Sequence, residues 1–372
     1  MTATQVKTRR RSLPAYTLVE VLVAIAIIGI LAALLVVAVQ RVMAYARQAR
    51  LSAEVSMLEL ALESYKHDKA GYPPDFGTLA NNQPGWSQRQ AKIMVHVRRA
   101  YPQFVTLNYT AFRAGVVQAF QNAANLTPPL VFGNTAPNGN SQPGDLDNLD
   151  SGEALVFWLG GLPSPGVQDP ATGQYRFSLL GTSADRKNPF VFGSARDRGA
   201  FAFDESRLAD ADGDGWPEYY PPTGELPQPP GSGAAPVAPV APYVYFSSTT
   251  YTSIANYDPN NVNGYAFYPA HYPLYQNTGT APMPQSLQQL WGFAVPYVSQ
   301  FVAHGNATQI EWIDPEKYQI VCTGPDGVYW RDPTGALSLN SFRLYPALTN
   351  FSLGDLDNLT SFEAGRLGDT QP

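Results

Sequence analysis

The sequence predicts an α+β fold in which a long N-terminal helix packs on a C-terminal antiparallel β-sheet, with insertions between the two. Three observations predict it. An unbroken apolar run, Val21 to Val39, leads into a helical stripe of Leu51, Val55, Leu58, Leu62 and Tyr65 at steps of four and three residues. The 372 residues include 33 prolines, 31 glycines and 21 tyrosines, a composition that favours short strands and turns over helix bundles. Finally, Tyr175 to Leu180, Tyr243 to Ser248 and Tyr318 to Thr323 are rich in aromatic and β-branched residues, as short strands are.

The apolar run comes first. Its 19 residues, wound as a helix, span roughly 28 Å, close to the hydrocarbon thickness of a bilayer. Lys7, Arg9, Arg10 and Arg11 precede it with no acid among them, so the leader is expected to stay cytoplasmic, although Arg41, Arg47 and Arg50 on the far side weaken the asymmetry. An ordinary signal peptide with Ala44-Tyr45-Ala46 as its cleavage site is one alternative, but the run exceeds the roughly 7 to 15 apolar residues usual there. A plain signal anchor fits the length. Neither explains Glu20, a carboxylate set directly against the apolar run, where ionisable groups are costly and usually functional.

Pro14-Ala15-Tyr16-Thr17-Leu18-Val19-Glu20, followed by Ala26-Ile27-Ile28-Gly29-Ile30-Leu31-Ala32-Ala33, resembles the N-terminus of type IV prepilins and type II secretion pseudopilins. The resemblance implies cleavage between Ala15 and Tyr16 by a prepilin peptidase, N-methylation of Tyr16, and Glu20 as the glutamate at the fifth mature position. In a staggered filament that carboxylate meets the N-terminal ammonium of a neighbouring subunit, which spares an isolated charge in an apolar setting. Ala15 stands where the family usually has glycine, and Val37 where many members have a helix-softening proline.

The stripe from Leu51 to Tyr65 extends the helix beyond the membrane until Gly71, Pro73 and Pro74 stop it, giving residues 16–70 a length of about 80 Å. Glu59 to Lys66 running into Gly71-Tyr72-Pro73 resembles the end of this helix in the major, G-type pseudopilins. The organisation read from the chain is then a leader (1–15), the helix (16–70, transmembrane over 21–39), an insertion-rich part of the body (71–220), a Pro/Ala-rich loop (221–242) and a C-terminal β part (243–372). Helical patches are expected at Ala91 to Ala100 and Phe112 to Ala124 within the insertion.

Charge limits the partners. The formal net charge is -6, and removing the leader leaves 20 basic against 30 acidic residues, or -10. Such a surface repels a phosphate backbone, so no nucleic-acid binding is expected. The best basic patch, Arg89, Lys92, Arg98 and Arg99, reads as a solvated helix face, and Cys322, the only cysteine, reads as a small buried hydrophobe.

One internal repeat stands out. Gly144-Asp145-Leu146-Asp147-Asn148-Leu149 recurs as Gly354-Asp355-Leu356-Asp357-Asn358-Leu359. Asp150 to Glu153 and Thr360 to Glu363 follow with capping-box spacing, so both copies could simply start helices. The functional alternative is a structural calcium ion, which prefers oxygen donors of this kind. Tyr318 to Gly327 with Asp355 to Phe362 resembles the C-terminal part of G-type pseudopilins, where the last loop binds calcium, and that resemblance favours Asp355 and Asp357 over Asp145 and Asp147. A third cluster, Asp210, Asp212 and Asp214, matches the first half of an EF-hand loop but has Pro221 at the twelfth position; a shortened calcium loop and a plain acidic turn both remain open.

No catalytic set emerges. His67, His96, His271 and His304 are scattered, and Asp314 with Glu316 reads as a solvated turn rather than a glycosidase pair. The function expected is a non-enzymatic pseudopilin or pilin-like subunit, single-pass in the inner membrane with its body in the periplasm. Its expected partners are prepilin peptidase, other pseudopilin subunits, the inner-membrane assembly platform and membrane lipid. The rivals are a membrane-tethered binding or adhesive protein and a competence minor pilin, the latter disfavoured by charge.

Overall fold

The computed structural model describes residues 17–76, 86–106, 108–124, 145–147, 149–164, 167–168, 175–191, 195–211, 215–222, 226, 240–251, 294–304, 307–329, 342–351 and 354–370. The leader with its Ala15/Tyr16 junction, Asp212, Asp214 and most of the Pro/Ala-rich loop lie outside these residues. The chain divides into two units, Met1–Arg47 and Gln48–Pro372. The fold is mixed α/β, with a long apolar N-terminal helix and small antiparallel sheets.

In the first unit the described backbone is helix. Helix α1, Leu18–Lys69, starts at Leu18, and Val21 through Val36 present their side chains to the exterior, Ile28 at 62 % exposure and Leu34 at 67 %. A soluble protein would bury such a run; this stretch is long and apolar enough to cross a membrane.

In the second unit the same helix becomes one wall of a core. Leu51, Val55, Leu58, Leu62 and Tyr65 are all buried, as their spacing predicts. The helix ends where expected: Ala70 takes a left-handed φ of 59°, and Pro73 and Pro74 cannot continue the ladder. Their carbonyls are taken up by buried donors, Tyr245 Oη to Pro73 O at 2.6 Å and Trp158 Nε1 to Pro74 O at 2.7 Å.

The insertion-rich region supplies helices α2 (Trp86–Ala100), α3 (Tyr109–Ala124) and the wholly buried α4 (Ala154–Gly160). Ile93, Val97, Phe112, Val116 and all six apolar side chains of α4 join the helix-side core, so this region is part of the body's interior. Four short hairpin strands pair as β1 (Val167–Gln168) with β2 (Tyr175–Arg176) and β3 (Thr182–Ser183) with β4 (Arg196–Asp197). The strand expected over Tyr175 to Leu180 pairs as β2 only to Arg176; beyond it the backbone runs antiparallel to Leu162–Ser164, with Leu180 N donating to Leu162 O at 3.0 Å, while the Leu179 amide donates to the Glu205 carboxylate at 2.9 Å. A third hairpin joins β5 (Leu208–Ala209) to β6 (Glu218–Tyr219).

The main sheet is antiparallel and four-stranded. After β7 (Val244–Ser247) come the one-turn helix α5 (Ser248–Tyr251) and the ribbon of β8 (Val298–His304) with β9 (Ala307–Trp312). Then β10 (Tyr318–Cys322), β11 (Leu359–Thr360) and β12 (Glu363–Arg366) complete a sheet of order β12-β11-β10-β7. Its period-two alternation sorts the side chains into two cores. Tyr243, Tyr245, Tyr318, Ile320 and Cys322 face the core that contains α1, whereas Val244, Phe246 and Val321 join Val298, Ile310 and Trp312 in a second one. The buried Gln319 bridges the layers by accepting from Tyr297 N at 2.6 Å and donating to the carbonyls of Tyr297 and Ile313.

Candidate functional site

Glu20 sits in the first turn of α1 and is exposed. Its carboxylate accepts from Thr17 N at 2.8 Å and from Thr17 Oγ1 at 3.0 Å, while the Glu20 amide donates to Thr17 Oγ1 at 3.2 Å. This reciprocal capping box, Thr17-x-x-Glu20, satisfies amides that a helix start leaves without partners. The Thr17-x-x-Glu20 spacing is visible in the sequence.

The repeat behaves differently in its two copies. In the first, Arg113 forms a two-pronged contact with Asp145 through Nε and Nη2, and its Nε lies 3.0 Å from Asp147 Oδ2. Tyr109 Oη adds a hydrogen bond to Asp147 Oδ1 at 2.9 Å. One guanidinium therefore pairs with both carboxylates expected as calcium ligands in this copy. The capping box that follows is present: Glu153 Oε2 accepts from Asp150 N at 2.9 Å and Asp150 Oδ1 accepts from Glu153 N at 3.3 Å, just ahead of α4.

In the second copy no helix follows. Thr360 to Glu363 turns between β11 and β12, because Thr360 is drawn into the ladder opposite Val321 of β10. Asp355 is also claimed by an arginine, with Arg343 Nε 2.8 Å from Asp355 Oδ2 and both side chains almost fully buried.

Asp357 is left in a different state. Its Oδ2 accepts from Asp326 N at 3.3 Å, and its buried Oδ1 has no hydrogen-bond partner among the described residues. Burial first, then the neighbouring Asp326 charge, push its carboxyl up to about 6. Gly324 presses so closely on Asp357 that an added Cβ would lie 2.4 Å from Oδ2. An orphaned buried oxygen beside a second carboxylate fits a hard cation. Asp326, in the Gly-Pro-Asp-Gly turn, was missed as a candidate because 30 residues separate it from Asp357 and only the turn's resemblance pointed there. Among the described residues, no cluster of three or more His, Cys, Asp or Glu side chains forms a complete metal centre.

Asp210 belongs to the β5–β6 hairpin, where Oδ2 accepts from Gly215 N at 2.9 Å and Gly215 adopts φ of 98°. Asp212 and Asp214 lie outside the described residues. Asp314, at φ of 48°, and the exposed Glu316 occupy the turn from β9 to β10.

The basic patch departs from the solvated face expected of it. Arg89 is buried and donates to Leu149 O at 3.3 Å, and Lys92 reaches Thr249 O; only Arg98 and Arg99 of that patch are exposed. Asp75, just past α1, is also buried: it accepts from Ser247 N at 2.8 Å and from Thr250 Oγ1, and burial pushes its carboxyl up to about 6. Cys322 is buried as expected, and burial raises its thiol well above the ordinary range. Comparisons with family models, with curated proteins and with solved structures return no match.

Proposed function

We propose that this chain is a structural subunit of a type IV pilin-like filament, resembling the G-type pseudopilins of type II secretion, and that it performs no catalysis. The observation that carries the reading is the character of α1: one 52-residue helix whose first part is exposed and apolar and whose last part is a buried stripe in the body. An exposed apolar helix needs lipid or other helices around it, and a filament core supplies the second where a membrane supplies the first. Prepilin peptidase would cut between Ala15 and Tyr16 and methylate Tyr16. Glu20 would then exchange its cap on Thr17 for the N-terminal ammonium of a neighbouring subunit. The body would stand in the periplasm and decorate the filament, with the inner-membrane assembly platform driving polymerisation.

In this reading calcium occupies the loop at Asp357, with Asp326 as the second carboxylate. The ion would neutralise two close anionic groups and fix the C-terminal loop against the Gly-Pro-Asp-Gly turn.

Intact-mass measurement of the membrane-extracted protein tests the processing step. The expected mass is that of residues 16–372 plus one methyl group; a chain beginning after Ala46 would instead make α1 a signal peptide and end the filament reading.

A further inference from the structure

Glu54 is an acid on the buried face of α1, at 8 % exposure, between Leu51 and Leu58. Three segments distant in sequence converge on it. Arg207, from the turn before β5, reaches both carboxylate oxygens, with Nη1 3.0 Å from Oε2 and Nη2 on Oε1. Tyr219 of β6 donates to Oε1 at 2.8 Å, and Tyr243, at the entry to β7, donates to Oε2 at 2.6 Å. The guanidinium also lies 4.2 Å over the Tyr219 ring. Four donors, all in the interior, fill the Glu54 carboxylate, while Arg207 Nε lies 3.9 Å from Asp204 Oδ2 without a hydrogen bond among the described residues.

Such a pair adds little stability over an apolar replacement, because removing two charges from water offsets their attraction. It discriminates strongly between arrangements, however, since an unpaired buried charge is costly. The rest of the stripe discriminates in part. A slip of three residues would put Val55, Leu58 and Leu62 in the places of Leu58, Ala61 and Tyr65, keeping apolar groups there, and would bring Gln48, Ser52 and Glu59 to the places of Leu51, Val55 and Leu62. What the slip cannot reproduce is the acceptor. The residues that a one-turn shift would bring to Arg207, in either direction, are Arg50, Leu51, Met57 and Leu58. None offers a carboxylate, and Arg50 would add a second guanidinium.

We propose that the Glu54–Arg207–Tyr219–Tyr243 network is a register lock that fixes the axial position of α1 in the body. Arg207 and Tyr219 both come from the insertion-rich region, so that region holds the helix in place. The lock operates within one chain and does not depend on polymerisation.

The test uses the full chain in detergent micelles, spin-labelled at Ser64→Cys on α1 and Ser178→Cys on the body; both positions are exposed, and native Cys322 is buried away from the label. Pulsed electron resonance on the parent should give one distance. The apolar replacement E54L/R207M/Y219F/Y243F should keep a cooperative melt and split that distance into populations separated by about 5 Å along the helix, one turn. A single unchanged distance in this folded variant overturns the lock. Should the quadruple variant fail to fold, E54Q decides: it keeps the shape, removes the charge and turns one acceptor oxygen into a donor amide, and it should show a second population of about a tenth. One distance in E54Q, as in the parent, overturns the proposal equally.

Discussion

Thr17 and Glu20 cap each other at the start of α1, each side chain accepting from the other's amide. Glu20 therefore has a use within one chain as well as the use proposed between chains, and mutation separates them. Thr17→Ala removes the reciprocal cap and should cost about 1 kcal/mol of helix start, with filaments still forming. Glu20→Ala should abolish filaments seen by electron microscopy while membrane insertion is normal. Equal loss of assembly in both variants would reduce Glu20 to a cap.

Leu58 is fully buried in the middle of the stripe. Leu58→Ala should destabilise the body by about 2–5 kcal/mol, read as a fall in the urea midpoint. An effect as small as that of a surface substitution would mean that α1 does not pack in the body as described.

Arg343 and Asp355 form a nearly solvent-free pair, whereas the Arg113 side chain facing Asp145 is 29 % exposed. Arg343→Met leaves a buried carboxylate without its guanidinium and should cost about 3–5 kcal/mol. Arg113→Met should cost less, because water reaches that site. The double variant R343M/D355L should recover most of the loss in a thermal melt; no recovery would show that the arginine acts mainly through other contacts.

Asp75 carries its own pH signature. Its folded pKa stands near 6 against an ordinary 3.8, so the folded chain holds the proton more tightly. Stability should therefore fall as pH rises through that window and level off above it. Arg89 and Lys92, the cations facing it, limit the fall. Asp75→Asn should remove this part of the slope, up to about 3 kcal/mol at about 1.4 kcal/mol per unit, measured as urea midpoints on either side of the window. An unchanged slope would place Asp75 elsewhere in the titration.

Asp357 titrates over the same window and in the same direction, again from a pKa near 6. Calcium needs the ionised form, so added calcium should raise the melting temperature above that window and have little effect below it. Asp357→Asn should abolish the calcium shift. No shift in the parent chain on chelation, together with no metal by elemental analysis, would return the loop to a plain turn.

The helix and the sheet were readable because their signals are local. The stops at Gly71 and Pro73, the stripe from Leu51 to Tyr65 and the strands around Tyr243 and Tyr318 are all set by neighbours in sequence. The charged interior was not. Glu54 falls on the stripe face, at Leu51 plus three and Leu58 minus four, which marks it as buried, but its partner Arg207 is 153 residues away and nothing nearby announces it. Arg113, which pairs with Asp145 and Asp147, lies 32 residues before Asp145 with no sequence mark of the pairing. Identical hexapeptides likewise led to a helix in one case and a hairpin in the other, because only the second has a strand, β10, waiting to pair with it.

The main sheet is covered on both faces, and this separates what one side of the body can change from what the other must keep. Tyr243, Tyr245, Tyr318 and Ile320 answer to the helix, while Val244, Phe246 and Val321 share the second core with the ribbon of β8 and β9 and with Ala209 and Tyr220 of the third hairpin. The ribbon of β8 and β9, whose Val298, Ile310 and Trp312 pack in the second core and not in the one containing α1, is thus a veneer that can be resurfaced without renegotiating the joint with the helix. An enlarged exterior on an unaltered stem is the freedom that this arrangement gives the chain.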